Sequence, residues 1–247
     1  MAEIIGNAII KLMRVDSTNN YATAQMAIDN WNEGTVVLAD EQIRGRGQIN
    51  NGWESEANKN LLFSIVLYPE FLPVQNQFLL SKVVAVGIQE VLSKLVDNVK
   101  IKWPNDIYVA NRKIAGILIE NSIMGNVLSS TVIGIGLNVN QRTFYSAAPN
   151  PVSLCQLLKQ ELDLADLLTK LFNSIDKWYC KLKDGDVDEI NSAYVNKLYQ
   201  YGEVSEYEDD EGVFVGELKG VNSIGQLLIQ PVEGEMRCYH FKEVRFL

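Results

Sequence analysis

Short apolar runs separated by polar punctuation fill the first four fifths of the chain. "AIIKLMRV" (Ala8 to Val15) has strand character, and "DSTNNYATAQMAI" follows it. Asp16 and Ser17 are good N-cap residues, and Ala22, Met26 and Ala27 give a small apolar face, which predicts a strand, a cap and a helix. "TVVLAD" (Thr35 to Asp40) and "NLLFSIVLYP" (Asn60 to Pro69) read as strands, the second ended by its proline. "NQFLLSKVVAVGIQEVLSKL" (Asn76 to Leu95) predicts a long amphipathic helix. "VKIKWP" is a strand that stops at Pro104, because proline cannot donate to a ladder. "DIYVANRKIAGILIEN" predicts a hairpin turning near Asn111 and Arg112, and "VLSSTVIGIGLNVN" (Val127 to Asn140) a further strand. Leu164, Leu167, Leu168, Leu171, Ile175, Trp178, Tyr179 and Leu182 recur at helical spacing, and "DVDEINSAYVNKLYQY" makes another helix.

From Gly202 the pattern changes to short strands and closely spaced glycine turns, which suggests a small β-barrel. A boundary near Gln200 divides the chain into residues 1–200 and 201–247. The hairpins in the first part favour an α+β fold, a mixed or antiparallel sheet flanked by helices, over a pure βαβ series.

Charge narrows the function classes. The formal net charge is -9, and general nucleic-acid binding needs clustered Lys and Arg, so that class is disfavoured. Cys155, Cys180 and Cys238 are odd in number and widely spaced, which fits neither a disulfide framework nor a CxxC metal site. They are expected to be free, mostly buried thiols in a reducing compartment. His240 is the only histidine, so multi-His metal sites are ruled out, and a structural role near the C-terminal strand is expected. The N-terminus lacks the signature of a signal peptide, and no stretch approaches the ~20 apolar residues of a membrane span. The sequence reads as cytoplasmic.

The loop "IRGRGQINNGWES" (Ile43 to Ser55) is too poor in apolar residues for a strand and too rich in glycine for a helix. Arg44, Arg46 and the amides of Gly45 and Gly47 can surround an anion, although a solvated connector explains the composition equally well. It is no Walker A loop, and the GxGxxG fingerprint fails at Asn50. In "KWPNDIYVANRKIAG", Lys102, Asn105, Asp106 and Lys113 lie beside apolar strands, and a hairpin would bring Lys113 back toward Lys102 and Asp106. A surface hairpin with a charged tip is the alternative, but partly buried lysines usually have an anionic partner. "DSTNN" offers hydroxyl, amide and helix N-terminal N–H groups, or plain capping. In "GIGLNVN", Gly134 and Gly136 allow close backbone approach and Asn138 can read a polar ligand. Asp184, Asp186 and Asp188 imitate the start of an EF-hand loop, but Glu189 and Val195 break the pattern, and "EYEDDEG" is most simply a solvated hairpin turn.

In this order and combination, "DSTNN", "EQIRGRGQ" with Trp53, "NLLFS", "KWPNDIYVANRKIAGILIE", "GIGLNVN" and the terminal "GVNSIGQLLIQ" resemble the biotin–protein ligases over nearly the whole chain. The resemblance implies a catalytic domain similar to class II aminoacyl-tRNA synthetases over 1–200 and an SH3-like barrel over 201–247. It implies that MgATP activates biotin as biotinyl-5'-AMP, which is then passed to one lysine of a biotin carboxyl carrier domain. Carried over by position, Ser17, Thr18, Asn19, Gln42, Gly45 and the backbone from Gly116 through Ile117 to Leu118 would hold biotin. Arg46 and Lys113 would contact biotin and the adenylate, with Lys113 the first choice for an essential residue. Gly47, Gln48, Trp53, Asn105 and Asn138 would bound the nucleotide, and Lys102 and Asp106 would shape the phosphate and acceptor region. No protein-only metal cage is implied, since magnesium accompanies ATP.

Two features depart from the family. Gln48 stands where an arginine linked to holding the adenylate is common, which predicts a leakier intermediate unless Arg44 or Lys59 compensates. Some bacterial members begin with a DNA-binding winged helix-turn-helix; here the catalytic region begins almost at Met1, which predicts a ligase that does not bind operator DNA. An edge strand of the sheet can mediate a homodimer. The rival expectations are a lipoate or octanoate ligase, whose consecutive glycines and nearby histidine are missing here, and a non-catalytic biotin sensor, against which Arg46 and Lys113 argue.

Overall fold

The computed structural model describes residues 4–48, 51–145 and 150–247. Ile49 and Asn50 of the glycine loop lie outside the described residues.

The first sheet has seven strands: β1 (Ile9–Leu12), β2 (Val36–Ala39), β3 (Leu61–Leu67), β4 (Val99–Lys102), β5 (Asp106–Val109), β6 (Arg112–Met124) and β7 (Val127–Leu137). Their order across the sheet is β1-β2-β3-β7-β6-β5-β4. β1 and β2 are parallel and every other pair is antiparallel, so the sheet is mixed. The helices are α1 (Thr18–Met26), α2 (Phe78–Leu92), α3 (Leu154–Leu158), α4 (Leu164–Asp184) and α5 (Val187–Val195).

β3 is buried along its whole length because both of its faces are covered. Phe63, Ile65 and Leu67 join the main core with residues of α2 and α4, while Val66 packs with Ala22 of α1, Val37 and Val132. The helices therefore divide between the two sheet faces, with α1 alone opposite α2 and α4. α2 and α4 cross closely at Gly87, where a Cβ would lie 2.9 Å from Cα of Ile175. α4 starts at Asp163, whose side chain accepts from the amides of Ala165 and Asp166, and stops at Gly185, which takes the left-handed conformation. Of the eight α4 residues expected on its apolar face, all but Leu164 are buried.

After residue 200 the chain forms five strands: β8 (Val204–Asp209), β9 (Gly212–Val221), β10 (Leu227–Pro231), β11 (Arg237–Tyr239) and β12 (Arg245–Phe246). They make a separate antiparallel sheet in the order β11-β10-β9-β8-β12, and the acidic run turns β8 into β9. This sheet meets the first through Trp103, whose indole donates to the carbonyl of Gly225 at 2.9 Å and whose ring meets Phe241 edge-on.

The cysteines correct one expectation. Cys155 is buried, but Cys180 is half-buried and Cys238, on the short strand β11, is exposed. His240 is exposed as well, and its Nε2 lies 2.9 Å from the amide of Gln226. No helix among the described residues is long and apolar enough to cross a membrane.

Lys82 of α2 is 3% exposed, donates to Asn191 at 2.7 Å and faces the rings of Phe78 and Tyr194. Burial pushes its amine from 10.5 down to about 8. Below about pH 8 the folded state carries a desolvated charge. Between pH 8 and 10.5 the folded protein has shed that proton while the unfolded chain still binds it, so stability rises with pH in that window. Lys82→Met is expected to stabilise the protein by about 1–3 kcal/mol at pH 7, with a smaller gain at pH 10. Urea unfolding of both proteins at the two pH values checks this, and an equal gain at both would rule out the charge as its source.

Candidate active site

The register of the first sheet places the chemistry. One row of paired residues crosses five strands in the order Leu62, Gly136, Gly116, Asp106, Lys102. The next row is Ser64, Gly134, Leu118, and the one beyond it Val66, Val132, Glu120. These rows lie on the α1 face. Where glycines replace side chains the sheet has a floor low enough to hold a cavity, of about 280 Å³.

Among the sequence-predicted residues, the cavity brings together Ser17, Thr18, Asn19, Gln42, Arg46, Gly47, Gln48, Trp53, Lys102, Asn105, Asp106, Lys113, Gly116, Ile117 and Leu118. Gly45 lies behind the wall, so close to the carbonyl of Trp53 that a Cβ would be 2.5 Å from it. Asn138 is buried away from the cavity lining, and its amide donates to the carbonyl of Val152 at 3.1 Å. Arg44 and Lys59 do not line the cavity either, and Lys59 pairs with Glu161.

One end of the cavity is neutral and rich in hydrogen-bonding groups. Ser17 occupies the N-cap position of α1 but its side chain makes no capping bond. Gln42 does the satisfying instead: its Oε1 accepts from the amide of Thr18 at 2.7 Å and from the Thr18 hydroxyl at 3.0 Å. The buried Ser64 hydroxyl lies between Thr18 Oγ1 (2.7 Å) and Asn19 Oδ1 (2.6 Å). Asn19 also donates to the carbonyl of Leu118 and to Glu120.

The other end is charged. Lys113 Nζ lies 2.7 Å from Asp106 Oδ1 and 5.6 Å from the centre of the Trp53 ring. A bulge between Ile107 and Tyr108 sets Lys113 opposite Tyr108 instead of Val109, on the same face as Asp106, and the Asp106–Lys113 ion pair runs diagonally across the ladder. Burial pushes the Asp106 carboxyl above its usual range, against the lowering pull of Lys113 and Lys102. Lys102 is held differently from Lys113: its Nζ sits over the rings of Tyr108 (4.7 Å), Phe246 (5.0 Å) and Tyr199 (5.5 Å). Burial pulls its amine below the usual range, and nearby Asp106 opposes that shift.

The glycine loop folds back on itself. Gly45 and Trp53 share the bond from the Trp53 amide at 2.8 Å, and Arg46 pairs with Gly52. This places the Trp53 indole on the glycine floor: a Cβ on Gly136 would lie 2.4 Å from the ring and one on Gly116 2.9 Å. Oε1 of Gln48 and Nε1 of Trp53 are buried without a hydrogen-bond partner among the described residues.

Sequence reasoning missed Ser64, Glu120 and Phe241. Glu120 pairs with Arg46, and Phe241 reaches the cavity from the turn between β11 and β12. Ser64 had a signal, as a polar residue in the apolar run "NLLFSIVL", where a buried hydroxyl requires a partner. Glu120 and Phe241 had none.

Residues 12–138 match the sequence pattern of the family described as the biotin/lipoate A/B protein ligase family. The chain belongs to that family. The ligase is 30% identical over 246 residues to the bifunctional ligase/repressor BirA of Bacillus subtilis, an alignment covering 96% of this chain and 74% of the relative. It is 27% identical over 230 residues to the biotin–[acetyl-CoA-carboxylase] ligase of Paracoccus denitrificans, covering 90% of this chain and 94% of that one. Its fold superposes on the biotin protein ligase from Aquifex aeolicus in complex with biotin and ATP, with a TM-score of 0.81 and 27% identity, over 98% of this chain and all of the other (100%).

Proposed function

We propose that this ligase activates biotin with ATP and transfers it to a specific lysine of a biotin carboxyl carrier domain. One observation carries the reading: a single cavity joins a neutral hydrogen-bonding end, formed by Ser17, Thr18 and Gln42, to a cationic end, formed by Lys102 and Lys113, with Arg46 lining the same cavity from the loop. Biotin has that polarity, a neutral ureido ring and a carboxylate tail. In this reading residues 1–200 form the catalytic domain and 201–247 the SH3-like barrel.

In the first step a carboxylate oxygen of biotin attacks the α-phosphorus of ATP. The new O–P bond forms as the bond to the β-phosphate oxygen breaks, and pyrophosphate leaves. Two anions meet, so the step needs fixed cations and N–H donors at the junction, which Lys113 and Arg46 supply. In the second step the carrier amine attacks the acyl carbon, the C–O bond to phosphate breaks, AMP leaves and the amine sheds a proton. In this reading Asp106, whose burial holds its carboxyl above the usual range and whose side chain lies beside Lys113, receives it. Trp53 and the folded loop shield the mixed anhydride from water. Magnesium enters as part of the nucleotide substrate. Among the described residues no three His, Cys, Asp or Glu side chains converge to hold a metal.

Incubation with MgATP, a biotin carboxyl carrier domain and either biotin or lipoate tests the reading. Pyrophosphate release is expected with biotin only, together with a biotinyl mass increase on one carrier lysine. Release with lipoate in place of biotin would make the protein a lipoate ligase, and binding of biotin without release would make it a sensor.

A further inference from the structure

We infer that Glu120 is a positioning residue that fixes where Arg46 stands over the cavity; this rests on the biotin-ligation reading of the site. Glu120 projects from β6 one row beyond Leu118, at the rim of the cavity floor. Its two carboxylate oxygens are used separately. Oε1 accepts from Arg46 Nη2, and Oε2 accepts from Asn19 Nδ2 at 2.8 Å.

Asn19 is a rigid anchor. It is 2% exposed, its Nδ2 also reaches the carbonyl of Leu118 at 3.2 Å, and its Oδ1 accepts from Ser64 at 2.6 Å. Its side chain lies so close to the sheet that a Cβ on Gly134 would be 2.3 Å from Oδ1. One arm of the Glu120 carboxylate is therefore tied to a side chain with no room to move, and the other arm holds the guanidinium.

Only a carboxylate can accept on both arms. An amide in the same place has one acceptor and one donor, so one of its two partners, both donors, must face another N–H group. The Arg46–Glu120 pair is exposed on both sides, 40% each, so it adds little to stability. Its consequence is orientation. A guanidinium has five N–H donors, and Glu120 occupies one nitrogen of Arg46, which leaves the rest to meet an anionic ligand. Arg46 belongs to a loop, and without Glu120 the guanidinium must be ordered by the ligand itself.

Calorimetric biotin titration and steady-state kinetics on wild type, Glu120→Gln, Arg46→Ala and the double variant test this. Glu120→Gln is expected to weaken the biotin Kd and raise its KM by roughly 10-fold, the loss of one charge-assisted bond. Its kcat should fall by less than about threefold, because the remaining cations still meet the phosphate. In the Arg46→Ala background the same change should alter Kd by less than about twofold. Equal losses with and without Arg46 would overturn the inference, since Glu120 would then act through Asn19 alone. If wild type and Glu120→Gln bind biotin equally tightly, the positioning role fails while the biotin reading stands. A wild-type protein that binds no biotin overturns both.

Discussion

Lys113→Met is expected to lower biotin-dependent pyrophosphate release by about 100-fold or more, while the protein stays folded. The expectation rests on where the charge lies. Lys113 Nζ is 2.7 Å from Asp106 and faces the edge of the cavity floor beneath Trp53. In the ground state its charge is balanced by Asp106. As the biotin carboxylate approaches the α-phosphate, negative charge gathers at the forming O–P bond, and a fixed ammonium in a partly enclosed cavity stabilises that state more than it stabilises the separated substrates. Methionine keeps the length and apolar stem, so the loss falls on charge alone. Lys113 is only partly buried, and Asp106, already raised above its usual range, can take up a proton when its partner is gone, so the fold should tolerate the change. Circular dichroism and a pyrophosphate assay measured on the same preparation separate the two. Turnover within about threefold of wild type would remove Lys113 from the reaction.

The legible part of this site is the part written in local pattern. Pro104 ends β4, the turn at Ala110 and Asn111 reverses the chain, and so Lys102, Asp106 and Lys113 converge as the hairpin predicts. The "GIG" of β7 marked a backbone that something approaches closely, and Asn19 and Trp53 are what approach it. The short helix α3 was missed although its signature is local: Ser153 and Gln156 form a capping box. Other features depend on register or docking. The bulge at Ile107 and Tyr108 decides which residue faces Lys113, and no residue type there announces it. The aromatic surround of Lys102 needs Tyr199 from the connector and Phe246 from the second sheet, so it exists only after the two sheets dock. Asn138 shows the converse. Its type and its neighbouring glycines suggested ligand contact, but after β7 its amide turns to the carbonyl of Val152. A polar residue beside a glycine motif is equally fit for a buried backbone group that needs a donor.

Gly136→Ala should weaken biotin binding by roughly 10-fold or more, because one methyl group there displaces Trp53 and the loop that carries it. The added Cβ would lie 2.4 Å from Cε2, 2.7 Å from Nε1 and 2.8 Å from Cζ2 of the indole. Gly136 sits between Leu62 and Gly116 in the middle of the sheet, where β7 is hydrogen-bonded on both sides, so the strand cannot retreat. The indole must move instead. The ring also spans Gly116, where a Cβ would lie 2.9 Å from it, so its seat is built from both glycines. Its backbone is held by the Gly45 carbonyl through the Trp53 amide, so lifting the ring lifts the loop strand that contains Arg46. Overpacking of this kind costs about 1–3 kcal/mol, and here much of it can be released by opening the loop without unfolding the sheet. The variant should therefore lose ligand affinity more than thermal stability. A double-mutant cycle with Trp53→Ala tests the route: with the indole gone, Gly136→Ala should change biotin affinity by less than about twofold. If it remains as damaging without the indole, the methyl group acts by filling the cavity directly, and Trp53 is not what couples the floor to the loop.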